Sequence, residues 1–96
     1  MISASKDDLS FIANTIRKYV PSCETRIFGS RIKSDFRSYS DIDIAIVAKE
    51  KLNWLLIDDI KEDFAESDLL YRVDLLDFNA ISESFRKVIE KNYEVL

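Results

Sequence analysis

Three aspartates lie inside stretches of sequence that are otherwise apolar. Asp41 and Asp43 open the segment DIDIAIV, and Asp74 lies within YRVDLLDF. Successive side chains of a strand point to opposite faces, so Asp41 and Asp43 share one face and the isoleucines point to the other. A DxD pair alone can equally mark a strand entrance that reaches into solvent. The third aspartate, in a second apolar segment, favours a shared acidic site.

Carboxylates that converge need a proton or a cation between them. Two like charges about 4 Å apart repel by about 4 kcal/mol at an effective dielectric near 20. The chain has no histidine and one cysteine, Cys23, which excludes histidine-dependent catalysis and an internal disulfide. Hard oxygen ligands without nitrogen or sulfur favour Mg²⁺ or Mn²⁺ over zinc. We therefore expect Asp41, Asp43 and Asp74 to bind a divalent cation.

A second aspartate in the later segment, Asp77, has a different expected role. It stands three residues after Asp74, so on a strand the two side chains face opposite sides. Its place at the end of the strand predicts either a solvated carboxylate or a helix cap.

The only glycine, Gly29, follows a predicted strand and precedes Ser30. Glycine permits a positive φ and the close approach of a ligand to the backbone. If the following residues form a helical turn, its free N–H groups can bind a phosphate, and the Ser30 hydroxyl adds a donor. The alternative is that Gly29 only permits a tight turn. A phosphate site beside a metal site predicts phosphoryl or nucleotidyl transfer.

Helical and strand periods alternate along the chain and predict an α/β (α+β) domain with a small mixed sheet flanked by helices. The predicted order is helix 6–19, strand 25–28, polar segment 30–40, strand 41–48, a helix capped by Asn53, strand 72–78, a helix capped by Ser82 and a short edge strand 93–96. The predicted inward residues of the last two helices are Trp54, Ile57, Ile60 and Phe64, and then Phe85, Val88 and Ile89.

Length and composition narrow the possible classes of protein. The 96 residues predict a single domain, 1–96. The net charge of −4 argues against a stand-alone nucleic-acid binder, which needs a basic surface. The N-terminus lacks an apolar signal core and no apolar run approaches the roughly 20 residues of a membrane span, so we expect a cytoplasmic protein.

The motif Gly29-Ser30, ten residues, then Asp41-x-Asp43 resembles the signature of the nucleotidyltransferase superfamily related to DNA polymerase beta. Asp74 matches the third acidic position of that superfamily, and the chain is most similar to its minimal members. The resemblance implies that Gly29 and Ser30 bind the triphosphate of an NTP such as ATP. It implies that Asp41 and Asp43 ligate two divalent ions, and that Asp74 completes the metal site and assists the acceptor hydroxyl.

The chain departs from that family at one place. Many relatives have a further glycine shortly after the Gly-Ser pair, where this sequence has Arg31-Ile-Lys-Ser34. Arg31 is a candidate for neutralising phosphate charge, and its alternative is a solvated loop charge.

The resemblance also implies a function. We expect a Mg²⁺-dependent nucleotidyltransferase, an adenylyltransferase, that modifies a hydroxyl of a separate helical HEPN-type protein as the antitoxin of that protein. One alternative is a binding module that neutralises its partner by contact alone through exposed aromatics, for which Tyr39, Trp54 and Tyr71 are candidates, although core packing is the expected place of Trp54. The other is the catalytic subunit of a two-component small-molecule nucleotidyltransferase.

Overall fold

A computed structural model describes residues 5–29, 41–69 and 71–96 of the chain. Its elements are α1 (Lys6–Tyr19), β1 (Glu24–Phe28), β2 (Ile42–Val47), α2 (Trp54–Ala65), β3 (Val73–Asp77), α3 (Glu83–Lys91) and β4 (Tyr93–Val95). A 3-10 turn, Phe78–Ala80, joins β3 to α3. The predicted order of elements is confirmed, and the polar segment 30–40 lies outside the described residues.

The three helices begin where the sequence predicts, because a polar side chain caps each of them. Ser5, Asn53 and Ser82 accept hydrogen bonds from backbone amides two or three residues further on, at 3.1, 2.9 and 3.2 Å. Each such bond satisfies one of the N–H groups that a helix start leaves free. None of the three helices described reaches the length and apolar character that a bilayer crossing demands.

The four strands form one mixed sheet in the order β3-β2-β1-β4. β1 is antiparallel to both β2 and β4, whereas β2 and β3 are parallel. Two parallel strands cannot be joined by a tight turn, and α2 supplies the crossover between them. The parallel pair therefore brings the starts of β2 and β3 to the same end of the sheet.

The core lies between one face of the sheet and the helices α1 and α2. The alternation predicted for β2 is confirmed, since Ile42, Ile44 and Ile46 are fully buried on this face. They pack with buried residues of the two helices and the neighbouring strands, namely Ile12, Ile16, Ile27, Ile57, Ile60, Phe64 and Leu75. The opposite face of the sheet carries Asp43 and Asp74 together with apolar residues such as Phe28 and the buried Ala45.

Three predicted core positions are wrong. Trp54 is 69% exposed because it occupies the first turn of α2, and the buried stripe begins one turn later at Ile57. Val88 is 62% exposed, since only Ile89 of α3 is fully buried and each helical residue is rotated by about 100° from the next. Phe85 is also exposed, at 38%, although its ring lies edge-on to Phe28.

Asp77 caps the 3-10 turn from a buried position. Its carboxylate accepts hydrogen bonds from the amides of Leu52, at 2.6 Å, and Asn79, at 3.0 Å. The predicted capping role is confirmed, and the alternative of a solvated carboxylate is wrong because Asp77 is only 7% exposed.

Candidate active site

Gly29, Asp41, Asp43 and Asp74 lie at one end of the sheet. Phe28, the last residue of β1, pairs with Asp43 near the start of β2. Gly29 follows Phe28 directly, and Asp41 immediately precedes β2. β3 starts at the same end because it runs parallel to β2.

Asp43 and Asp74 are direct partners in the parallel pairing of β2 and β3. Neighbouring strands lie about 4.8 Å apart, and partner side chains point to the same face. That face is opposite to the one on which Ile42 and Ile44 enter the core. Asp41 stands two residues before Asp43 and completes an acidic corner, which we define as Asp41, Asp43 and Asp74.

The acidic corner raises the pKa of its central carboxyl. Burial is the main cause that raises the pKa of Asp43 from 3.8 to about 6, and the charges of Asp74 and Asp41 raise it further. Burial favours the neutral acid because the carboxylate loses its hydration, and like charges act in the same direction. A cation at this corner would relieve both effects.

Gly29 lies against the acidic corner and is the only residue type that fits its position. Its φ is +81°, in the left-handed region that side chains disfavour. A Cβ on Gly29 would overlap Asp43 Oδ2. The predicted close approach to the glycine backbone is therefore made in this structure by a carboxylate of the site itself. Ser30 and Arg31 lie outside the described residues.

Asp74 has a cationic neighbour that the sequence analysis missed. Arg72 Nε lies 3.7 Å from Asp74 Oδ1, and the two side chains are 78% and 47% exposed. Such an exposed pair contributes little to stability, so Asp74 remains available for chemistry. The signal that could have indicated the pair is the spacing i, i+2, which places both side chains on one side of an extended chain.

A cavity of about 230 Å³ adjoins Asp74, and we call it the Asp74 cavity. Its lining residues are Lys61, Phe64, Ala65, Tyr71, Arg72, Val73 and Asp74. A larger groove of about 520 Å³ lies between α1 and the end of α2 and is lined by none of the predicted site residues. The smaller cavity lies between α2 and β3, on the core side of the sheet, and it borders the acidic corner through Asp74.

The acidic corner suits a divalent cation in the chemistry of its donors. The side chains that would ligate the cation are all carboxylates, which Mg²⁺ prefers, and the chain has no histidine. Among the described residues, no three side chains of Asp, Glu, His or Cys are arranged so that they could hold a metal ion by themselves. Mg²⁺ is commonly held by one or two carboxylates together with water and substrate phosphates, so the donor set fits an ion that arrives with a nucleotide.

Comparison with known proteins identifies the family of the chain. The family model described as "Polymerase beta, Nucleotidyltransferase" matches residues 12–96. A curated relative, the probable protein adenylyltransferase MntA of Haemophilus influenzae, is 41% identical over 95 residues. That alignment covers 99% of this chain and 83% of the relative.

Two solved structures share the fold. A toxin–antitoxin crystal structure with AMP-PNP matches with a TM-score of 0.77 and 25% identity, over 90% of this chain and 69% of the other. A tri-AMPylated HEPN toxin of Shewanella oneidensis in complex with MNT antitoxin matches with a TM-score of 0.69 and 26% identity, over 90% and 66%. The mixed sheet with its flanking helices is thus the fold of nucleotidyltransferases.

Proposed function

The chain belongs to the Polymerase beta nucleotidyltransferase family, and we propose that it transfers AMP from ATP to a hydroxyl of a helical HEPN-type protein, as the antitoxin of that protein. The identity of 41% to a relative named a probable protein adenylyltransferase supports this reaction. The HEPN partner is supported by the structural match to an MNT antitoxin bound to an AMPylated HEPN toxin. The proposal includes a cytoplasmic location, where ATP is available.

The observation that carries the proposal is the Asp43–Asp74 pair across β2 and β3 with Gly29 against it. Gly29, Ser30 and Arg31 would bind the triphosphate. Two Mg²⁺ ions, held by the acidic corner, would neutralise charge on the phosphates and on the leaving group.

The reaction is an in-line displacement at the α-phosphorus of ATP. The acceptor oxygen forms a bond to that phosphorus as the bond to the β-phosphate oxygen breaks, and pyrophosphate leaves. Asp74 takes the proton of the acceptor hydroxyl. Its exposed side chain can be reached by a hydroxyl from outside the protein, whereas the partly buried Asp43 cannot be reached as easily. The protein contributes mainly orientation and electrostatic stabilisation.

A transfer assay tests the proposal. The chain, labelled ATP, Mg²⁺ and the cognate HEPN protein are mixed, and label on the HEPN protein is measured. We expect transfer by the wild type and a loss of about a thousandfold or more in Asp43→Asn, since charge stabilisation at the reacting centre is removed. Asp58→Asn, which neutralises an exposed carboxylate on α2, is the matched control and should keep its activity.

Two outcomes would contradict the proposal. One is the absence of label on the HEPN protein with every nucleotide tested. The other is transfer that persists in Asp43→Asn at the rate of Asp58→Asn. Omission of the divalent cation should stop the reaction in the wild type.

A second candidate function, neutralisation of the partner by contact alone, is favoured by one observation. Trp54 and Leu55 are adjacent at the start of α2 and are 69% and 52% exposed. Large exposed apolar side chains that lie together are typical of interaction surfaces. If the double variant Asp41→Asn and Asp43→Asn still protects cells from the partner, contact is sufficient; if protection is lost while the complex still forms, catalysis is required.

A further inference from the structure

Phe85 is an exposed aromatic residue on the face of the sheet that carries the acidic corner. Its ring lies edge-on to that of Phe28, with the ring centres 6.1 Å apart and the planes at 83°. Residues four apart lie on the same side of a helix, and Ile89, four residues later, is buried. Phe85 is therefore on the side of α3 that faces the sheet. It is nevertheless 38% exposed, so part of its ring is open to a ligand.

The strand pairing places this ring close to the acidic corner. Phe28 is the antiparallel partner of Asp43, and directly opposed residues point to one face with their Cβ atoms about 4.5–5.5 Å apart. Asp74 is the partner of Asp43 on the next strand. The two phenylalanines therefore lie on one side of Asp43, and the Asp74 carboxylate lies on the other. Gly29, beside which the triphosphate is proposed to bind, follows Phe28 directly.

Local hydrogen bonds hold the first turn of α3 in its place. The backbone amide of Phe85 donates to Ser82 Oγ at 3.2 Å. The next residue, Arg86, donates to the carbonyl oxygens of Phe78 and Asn79, at 3.0 and 3.3 Å. These bonds attach the start of α3 to the 3-10 turn after β3. A ligand that meets the Phe85 ring therefore has little further ordering of the protein to bring about.

Two neighbouring rings on this face already pack against a cation. The guanidinium of Arg26 lies 5.1 Å from the ring centre of Phe78 and 4.3 Å from that of Tyr93. The side chain of Arg26 is only 16% exposed, so these contacts are part of the packing of the fold. The ring of Phe85, by contrast, has exposed surface beside the acidic corner.

We propose that Phe85 binds the nucleobase of the NTP, which stacks against the exposed part of its ring. The base is the flat and least charged part of the nucleotide. It is joined to the α-phosphate through the ribose, so it has to lie near the acidic corner when the phosphates are there. Aromatic side chains stack with every kind of base, because each base has a π face. The inference rests on the ATP site of the proposed function and adds to it the position of the base.

This position has two consequences for the proposed reaction. The base lies on the β1 side of Asp43, and the β3 side, where Asp74 takes the proton of the acceptor hydroxyl, stays open to the acceptor. Stacking reads the face of a base and not its hydrogen-bonding edge. Phe85 therefore contributes affinity for the nucleotide and leaves the choice between adenine and guanine to other contacts.

Calorimetric titration with Mg²⁺ and a non-hydrolysable ATP analogue tests the role of Phe85 without the HEPN protein. We expect Phe85→Ala to weaken binding of the analogue about tenfold, which is within the range found when an aromatic residue that stacks on a base is replaced by alanine. Phe85→Tyr keeps the ring and should bind with close to wild-type affinity. If Phe85→Ala does not fold, Phe85→Leu, which keeps an apolar side chain against Phe28, provides the same comparison.

A ligand without a base separates the loss of stacking from damage to the site. Inorganic triphosphate with Mg²⁺ should bind equally well to the wild type and to Phe85→Ala, because it has no base to stack. A merely structural role of Phe85, through its contact with Phe28, would weaken the binding of both ligands. Val88→Ala, which truncates a side chain of α3 that is 62% exposed, is the matched control and should bind the analogue as the wild type does.

Two results would overturn the role of Phe85 and leave the proposed function intact. One is an unchanged affinity of Phe85→Ala for the ATP analogue, and the other is an equal loss of affinity for the analogue and for inorganic triphosphate. The transfer assay tests the function separately. A wild type that binds the analogue through Phe85 but transfers no label to the HEPN protein refutes the function and leaves the base-binding role standing. A wild type that binds neither ligand refutes the nucleotide site on which both proposals rest.

Discussion

Replacement of Asp43 by asparagine should make the protein more stable while it removes activity. The pKa of Asp43 is raised from 3.8 to about 6 by burial and by the charges of Asp74 and Asp41. The folded state therefore prefers the neutral acid more strongly than the unfolded state does. The favourable contribution is complete below about pH 3.8 and is lost as the pH rises through about 6.

The size of the stabilisation expected for Asp43→Asn follows from the rise in the pKa of Asp43. One pKa unit corresponds to about 1.4 kcal/mol, so the full rise would cost the ionised protein up to about 3 kcal/mol. Asp43 is only partly buried, and solvent screening reduces the expected gain to about 1–2 kcal/mol. For a domain of this size, that gain raises the Tm by roughly 4–16 °C. Asparagine has almost the same shape, so the packing against Gly29 is kept.

Thermal unfolding of the metal-free protein between pH 4 and pH 8 measures the difference in stability between Asp43→Asn and the wild type. The difference in Tm between Asp43→Asn and wild type should be close to zero near pH 4 and should reach its full value by pH 8. Asp58→Asn is the control and should show no such pH dependence. Mg²⁺ with a non-hydrolysable ATP analogue should stabilise the wild type and should stabilise Asp43→Asn much less. A Tm for Asp43→Asn that is equal to or below wild type at pH 8 would refute the electrostatic argument.

Three further predictions concern the scaffold of the site. Gly29→Ala should destabilise the protein by about 1–3 kcal/mol in urea unfolding, because the left-handed φ and the neighbouring carboxylate both oppose a Cβ. Asp77→Asn should cost about 1–3 kcal/mol in the same measurement, because the amide of Leu52 or that of Asn79 loses its charged acceptor. Ile89→Ala should cost about 2–4 kcal/mol, whereas the exposed Val88→Ala should change stability by less than about 0.5 kcal/mol; equal effects would contradict the assigned inward face of α3.

The start of each helix was predictable because its signals are local. A capping side chain and an apolar period of 3.6 residues act within one or two turns, and Ser5, Asn53 and Ser82 all cap as expected. The positions of Trp54 and Val88 were not predictable in this way. Trp54 is exposed because it lies in the first turn of α2, and Val88 is exposed because α3 is rotated so that Ile89 faces inward. The position and rotation of a helix against the sheet depend on contacts that are distant in sequence.

The kind of chemistry that the site suits was likewise predictable from residue types. An all-carboxylate donor set and a single glycine next to a serine predict hard cations and phosphates wherever the chain brings them together. The proposal of Asp41, Asp43 and Asp74 as metal ligands, with Gly29, Ser30 and Arg31 at the phosphates, comes from that pattern and from the family it resembles.

By itself, then, the sequence determined the elements, the face of β2 that carries the aspartates and the kind of chemistry they suit, because all of these depend on neighbours within a few residues. Only the tertiary structure decided that Asp43 and Asp74 are partners across two parallel strands, since strand order depends on contacts distant in sequence. It also decided that the backbone of Gly29 lies against the carboxylate of Asp43. These contacts join residues from separate elements, and only the packing of those elements on a common sheet brings them together.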